Sequence, residues 1–388
     1  MSSPASQDVL ALTAELVGLD SVNPSLVPDA PGEHAIAAFV RDWATGCGLS
    51  AQTVHGPDGR PSVIVRGGRG GSGSAGWGGR TLLLCGHLDT VGHGSRQASP
   101  AAVVEGRRLY GRGSYDMKAG LAAALVACRD AAAAGISGQV VVAAVADEEH
   151  SSTGIQTVLN HVWADAAVVT EPTELEVAVA HKGFVWTGIE VIGRAAHGSR
   201  PHLGINAITH TGGVLAAVSE LDRELASRPP HPLLGHSTVH ASLISGGSGE
   251  STIPELCTLT LERRTLPGQS VEEAEADIAG LLDRCGRDQP GLSTRTRTLL
   301  ARQPLETNAD EPVVAMMLDA ATRSDGRPRV PAGLSYWADS ALIAAAGIPT
   351  VLFGPSGDGA HADIEWVDLD SVLSCTRALT ILACEFAA

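Results

Sequence analysis

Residues 81–92 read TLLLCGHLDTVG. Thr81 through Cys85 are apolar or β-branched, the composition of a buried strand. The run breaks at Gly86, and His87 and Asp89 follow at once. In an open α/β sheet the C-terminal edge of the strands is where ligands bind. A neutral imidazole is a common metal ligand, and a carboxylate beside it commonly fixes its tautomer. Alone, such a pair more often marks an ordinary structural histidine. Its meaning depends on what other strands bring to the same edge.

Working outward, the pattern recurs. Residues 139–146 are a continuous apolar run closed by Asp147, Glu148 and Glu149, adjacent acids that repel one another unless something cationic sits among them. Residues 166–170 form a further strand ending at Glu171, and the short strand 350–353 is followed by a glycine-rich turn carrying His361. Asp116 stands where an alanine-rich helix, residues 117 to about 134, begins; a capping role alone accounts for it there. Helical spacing is also predicted over 7–19, 33–43, 312–322, 339–346 and 369–386, with short strands at 51–54 and 62–65. Strands alternating with helices imply an α/β fold: a mainly parallel sheet with helices on both faces. From residue 184 the texture changes to strands at 184–192, 239–244 and 257–264 with helices near 205–223 and 271–285, the order of a smaller α+β unit with an antiparallel sheet. The expected organisation is therefore a larger domain, residues 1–183 and 293–388, interrupted by an inserted smaller one, 184–292. The stretch 67–79, GGRGGSGSAGWGG, lacks the ending of a phosphate-binding loop and reads as a surface loop.

Bulk properties narrow the partners. With 388 residues the chain exceeds one ordinary core. A formal charge of −16 and only 3% aromatic residues argue against nucleic acid and anionic membrane as partners. The seven cysteines include no CxxC pair and lie largely in apolar stretches, as expected of free thiols in a reducing compartment. The N-terminus has neither the basic region nor the apolar core of a signal peptide, and no apolar run approaches the ~18 residues of a membrane span. A cytoplasmic location is expected.

Collected at the strand ends, His87, Asp116, Glu148, Glu149, Glu171 and His361 form a mixed nitrogen and oxygen donor set suited to Zn²⁺, with Mn²⁺ or Co²⁺ as alternatives. The absence of cysteine from the set speaks against a closed structural zinc site. In its motifs the sequence resembles the M20 metallopeptidases and deacylases, which include acetylornithine deacetylase and succinyl-diaminopimelate desuccinylase. The likeness is carried by GHLDTVG (86–92), GRGSYDMKAG (111–120), DEEHSSTG (147–154), TEPTEL (170–175), AHGSRP (196–201), ERRTLPG (262–268) and GPSGDGAHADIEWV (354–367). The resemblance implies two zinc ions, one with His87 and Glu171 as terminal ligands, the other with Glu149 and His361, and Asp116 bridging. It makes Asp89 the partner that orients His87 and Glu148 the general base. It makes the larger domain catalytic and the inserted one, 184–292, a lid, in which His197 would stabilise the tetrahedral intermediate and Arg264 would anchor a substrate carboxylate. Two positions depart from the family pattern: Gly92 stands where proline is usual, and Ser251 where many relatives have asparagine.

The implied function is metal-dependent hydrolysis of the amide bond of an N-acyl amino acid, of the deacetylase or desuccinylase type, by a homodimer joined through the lid. A dipeptidase or carboxypeptidase acting on a short peptide with a free carboxylate is the nearest alternative. An inactive metal-binding regulatory protein is the alternative from another class, and retention of every ligand and of the base counts against it.

Overall fold

The computed structural model describes residues 4–69, 79–94 and 102–388. The chain divides into two compact units: Met1–Val179 with Thr307–Ala332 and Ala338–Ala388, and Ala180–Glu306 with Gly333–Trp337.

The sheet of the first unit runs in the order Ser50–His55, Pro61–Gly68, Gln139–Val145, Thr81–His87, Ala166–Val169, Thr350–Leu352. Its last four strands, from Gln139–Val145 to Thr350–Leu352, are mutually parallel, and the first two pair antiparallel. Side chains alternate across it. Leu82 and Leu84 join the large apolar core formed with the helices Pro4–Val17, His34–Gly46, Ala119–Ala133, Pro312–Asp325 and Leu369–Phe386. Leu83 and Cys85, equally buried, point to the opposite face, where the short helices Thr153–Val158 and Ser340–Ala345 pack. The expected fold class is observed: a mainly parallel sheet covered on both faces, with antiparallel sheets besides.

Register decides where the site forms. His87 pairs with Val145, and Cys85 with Val169, so the central strands end level. Asp147 to Glu149 and Glu171 therefore leave the sheet beside His87. A small antiparallel sheet, Gly357–Asp358, Trp366–Asp368, Arg108–Tyr110 and Val103–Glu105, joins the segment before Asp116 to the segment that carries His361.

The helix predicted from residue 117 begins at Ala119, after an irregular turn Ser114–Lys118. Asp116 is thus no helix cap. It has φ −113° and ψ 93°, and the cap position is taken by Lys118 without a side-chain bond. Helix Ala119–Ala133 comes very close to the strand end: a Cβ built on Gly120 would lie 1.9 Å from the Thr170 carbonyl oxygen.

In the second unit the sheet order is Thr238–Gly246, Leu256–Thr265, Gly183–Ile192, Ser293–Arg302, all antiparallel. Helices Ala207–Ser227 and Val271–Asp288 bury Val214, Leu221, Ile278 and Leu281 against Ile189, Val191, Leu259 and Leu261. Ser270 and Glu273 form a reciprocal capping box at the start of the second helix. The fourth strand is a correction: residues 293–302 were expected in the catalytic domain, but they pair along Gly183–Ile192 from Ser293–Ile192 to Arg302–Phe184. The glycine-rich loop lies outside the described residues over 70–78. Among the described residues no helix is long and apolar enough to cross a membrane.

Gly120→Ala should lower the stability of the first unit by about 3 kcal/mol or more, since no side chain can yield where the obstacle is a backbone carbonyl. Denaturant unfolding followed by tryptophan fluorescence checks this; a variant as stable as its parent contradicts the close approach.

Candidate metal centre

His87, at the end of its strand, is 1% exposed. Its Nδ1 bonds the carbonyl oxygen of Asp89 at 2.9 Å, leaving Nε2 free to face acids. Nε2 stands 3.1 Å from Asp116 Oδ1 and 3.7 Å from Glu171 Oε1. The other oxygen of Asp116 lies 3.4 Å from His361 Nε2, which is 3.0 Å from Glu149 Oε2. Two donor triads result, His87–Asp116–Glu171 and Asp116–Glu149–His361, with Asp116 common to both.

These separations fit cations. Ligands held at 2.0–2.1 Å around a tetrahedral zinc ion lie about 3.3–3.4 Å apart, and the observed contacts of 3.0 to 3.7 Å bracket that value. The electrostatics agree. Burial raises the carboxyl groups of Glu148, Glu149 and Glu171 above the ordinary range, and neighbouring acids add to the rise. Burial by itself lowers His87, but the charge of Glu171 and the contact with Asp116 outweigh it and hold the imidazole well above its usual value. Bonds to Asp116 and Glu149 push His361 up to about 10. Asp116, between the two imidazoles, is held well below the carboxylate range by them despite its burial. So much converging negative charge is stable only when protons or cations neutralise it.

Two further networks hold the donors, and neither was read from the sequence. Glu365, 1% exposed, accepts the N–H groups of Gly113, Tyr115 and Asp116, each at 2.9 Å, and Arg112 at 2.7 Å. Arg112 also donates to the carbonyls of Gly92 and Ala362. One ion pair thus ties the loops bearing Asp116 and His361 to the loop after Asp89. The carbonyl of Gly92 is what the loop uses there, and proline would offer the same atom. On the other side, the Asp89 carboxylate accepts the N–H groups of Glu148 at 3.1 Å and Glu149 at 3.2 Å, and the Asn23 amide at 2.8 Å. Asp89 was expected to orient His87 with its carboxylate. Its carbonyl does that instead; the nearer carboxylate oxygen is 3.8 Å from Nδ1.

Glu148 follows the strand end beside Glu149, outside both triads. His197 and Arg264 belong to the second unit. His197 pairs across to Thr252, and its Nδ1 bonds the hydroxyl of Ser199 at 2.8 Å. The carbonyl of Ser251 receives the N–H of Gly198 at 2.7 Å. Arg264 donates through Nε to Glu262 at 2.7 Å, and its guanidinium lies 5.6 Å from the centre of the Phe184 ring. Its Nη1 is buried without a bonding partner among the described residues, so Glu262 leaves a donor unused.

Fold and site define an α/β protein with a carboxylate-rich centre for two cations at the strand ends. Residues 83–385 match the profile of peptidase family M20/M25/M40, and the chain belongs to that family of hydrolases. It is 28% identical over 390 residues to an acetylornithine deacetylase of Myxococcus xanthus, spanning 97% of each chain. In structure it is similar to an M20 family metallo-carboxypeptidase from Sulfolobus solfataricus, with a TM-score of 0.78, 17% identity and coverage of 98% of this chain and 99% of that one. It is also similar to the YXEP protein of Bacillus subtilis, a dinuclear metal-binding M20 peptidase, with a TM-score of 0.68, 14% identity and 98% of each chain covered.

Because His361 is protonated at neutral pH in the metal-free protein and must be neutral to ligate, cation binding should release protons. Calorimetric zinc titrations at pH 7 in buffers of different ionisation enthalpy should show net release of at least one proton, with affinity rising from pH 6 to 8. Proton uptake, or an affinity independent of pH, contradicts this account of the donors.

Proposed function

We propose that the chain hydrolyses the amide bond of N-acyl amino acids with a free carboxylate, as a deacetylase or desuccinylase, using two zinc ions or, in their place, Co²⁺ or Mn²⁺. The observation that carries the reading is Glu148: an acid at the centre that belongs to neither donor triad, anchored through its own N–H by Asp89. The acetylornithine deacetylases among its relatives support the substrate class. Bound in the two triads, the cations supply Lewis acidity and lower the pKa of water toward about 7.

Everything else is done by the chain. Glu148, whose carboxyl burial raises well above the usual carboxylate range, takes the proton of the attacking water and returns it to the leaving nitrogen. One group serves both steps because it must end as it began. His87 and Glu171 would hold one cation and Glu149 and His361 the other, with Asp116 offering an oxygen to each triad. His197 donates to the oxygen that becomes negative as the amide carbon turns tetrahedral, a contact worth about 3–4 kcal/mol per donor. Arg264 holds the substrate carboxylate, and its unused Nη1 supports that role. A homodimer joined through residues 184–292 completes the reading. A cytoplasmic setting is in keeping with seven free cysteines.

Turnover of a panel of N-acetyl amino acids, N-succinyl amino acids and dipeptides tests the substrate class. Hydrolysis of the acyl amino acids in preference to dipeptides is expected, and dipeptides alone being cleaved would overturn it in favour of a peptidase. Glu148→Gln should lower kcat by about 10²–10⁴-fold with metal content and KM little changed; a variant that keeps full turnover removes Glu148 as the base. Arg264→Lys keeps the charge and loses the fork, so kcat/KM should fall about tenfold, mainly through KM. An unchanged KM excludes the carboxylate contact.

A further inference from the structure

Behind the centre lies a second, buried set of charges, of which the hydrolytic reading uses only Asp89. Arg60, immediately before the strand Pro61–Gly68, is 7% exposed. Its guanidinium meets Glu33 with both Nε, at 3.0 Å, and Nη2. Nη1 bonds Asp147 and the hydroxyl of Ser25. Glu33, Asp89 and Asp147 are each 2% exposed or less. Among the described residues, Arg60 is the arginine or lysine paired with Glu33 and Asp147; Lys118, also buried, gives its ammonium to the Leu19 carbonyl at 2.8 Å.

The set is wired to the turn that carries the proposed base. Asp147 sits in the left-handed region, with φ +66°, a conformation that a non-glycine residue keeps only when its surroundings impose it. Here Arg60, Asn23 and the Thr153 hydroxyl hold its carboxylate, the last two at 3.1 and 3.0 Å, and Glu33 accepts its N–H at 3.3 Å. Asn23 then spans from Asp147 to Asp89, and Asp89 fixes the N–H groups of Glu148 and Glu149. The chain of contacts runs from Arg60 through Asp147, Asn23 and Asp89 to the backbone of base and ligand.

We infer that Arg60 is a positioning residue: through the Asp147–Asn23–Asp89 relay it holds the Glu148–Glu149 turn in the geometry in which Glu148 exchanges its proton. Without the guanidinium, buried carboxylates face one another unneutralised, and the left-handed Asp147 loses its main clamp. A shift of about 1 Å in a catalytic group is enough to cost about 10²-fold in rate. No substrate contact is involved, so binding is spared. The inference rests on Glu148 as the proton carrier.

The test compares Arg60→Met, Arg60→Lys and Asn23→Ala with the parent as zinc-loaded full-length enzymes, on whichever N-acetyl amino acid the parent turns over fastest. Rates are scaled to the fraction that is folded and carries two zinc ions. Arg60→Met should lose at least 10²-fold in kcat with KM within threefold, and Arg60→Lys should recover at least tenfold of that loss. Asn23→Ala, which removes no charge and tests the relay even where Arg60→Met does not fold, should lose at least tenfold in kcat at constant KM. A folded, zinc-loaded Asn23→Ala or Arg60→Met enzyme with kcat within threefold of the parent overturns the inference, because a merely stabilising ion pair changes the folded fraction and not its turnover. Glu148→Gln, run alongside, separates the two failures: full activity there removes the base itself, whereas its loss beside unimpaired relay variants removes only the role of Arg60.

Discussion

The structure is built around buried negative charge. Asp116, Glu149 and Glu171 meet in two triads that share Asp116, with Glu148 beside Glu149 and the buried Asp89, Asp147 and Glu33 behind them. Acids in such a setting must be neutralised, and each layer has its own means. The front layer faces two imidazoles in an arrangement sized for cations. The rear layer has Arg60. A further acid, Glu365, is satisfied by Arg112 and by the backbone of the Asp116 loop.

The surrounding architecture serves that convergence. Level strand ends place donors from four separate stretches of chain on one edge. Bare backbone is required where elements crowd behind the donors: a Cβ on Gly354 would lie 2.1 Å from the Glu171 carbonyl, and one on Gly154 would lie 2.2 Å from the Ala146 carbonyl. Loops then carry the side chains, while strands and the helix Ala119–Ala133 carry the precision.

Much of this is legible in the chain, and what is not has physical reasons. His87, Glu149 and Glu171 stand out because each interrupts a purely apolar strand, a change of texture visible without any relative. His361 follows a three-residue strand by several positions, so only the motif around it gives it away. Local rules mislead at Asp116, since an acid before an alanine-rich stretch looks like a cap; the turn Ser114–Lys118 intervenes and aims it elsewhere. The strand Ser293–Arg302 escapes because STRTRTLLAR alternates threonine with arginine and offers no apolar face; it is held by its pairing along Gly183–Ile192. Asn23 and Arg60 carry no signature, and Arg112 and Glu365, though inside quoted motifs, show no role there, because all four act on backbone groups or charges far away in sequence, up to 253 residues in the case of Arg112 and Glu365. Such roles exist only once the chain is folded.

The central claim is that the two triads sharing Asp116 are a two-cation hydrolytic centre. Anomalous diffraction at the zinc edge, from crystals of the active enzyme grown with zinc, tests it most directly. The account predicts two peaks about 3.5–4 Å apart on either side of the Asp116 carboxylate, one against His87 and Glu171 and the other against Glu149 and His361. An active enzyme whose zinc lies elsewhere, or that shows no peak beside Asp116, would contradict it.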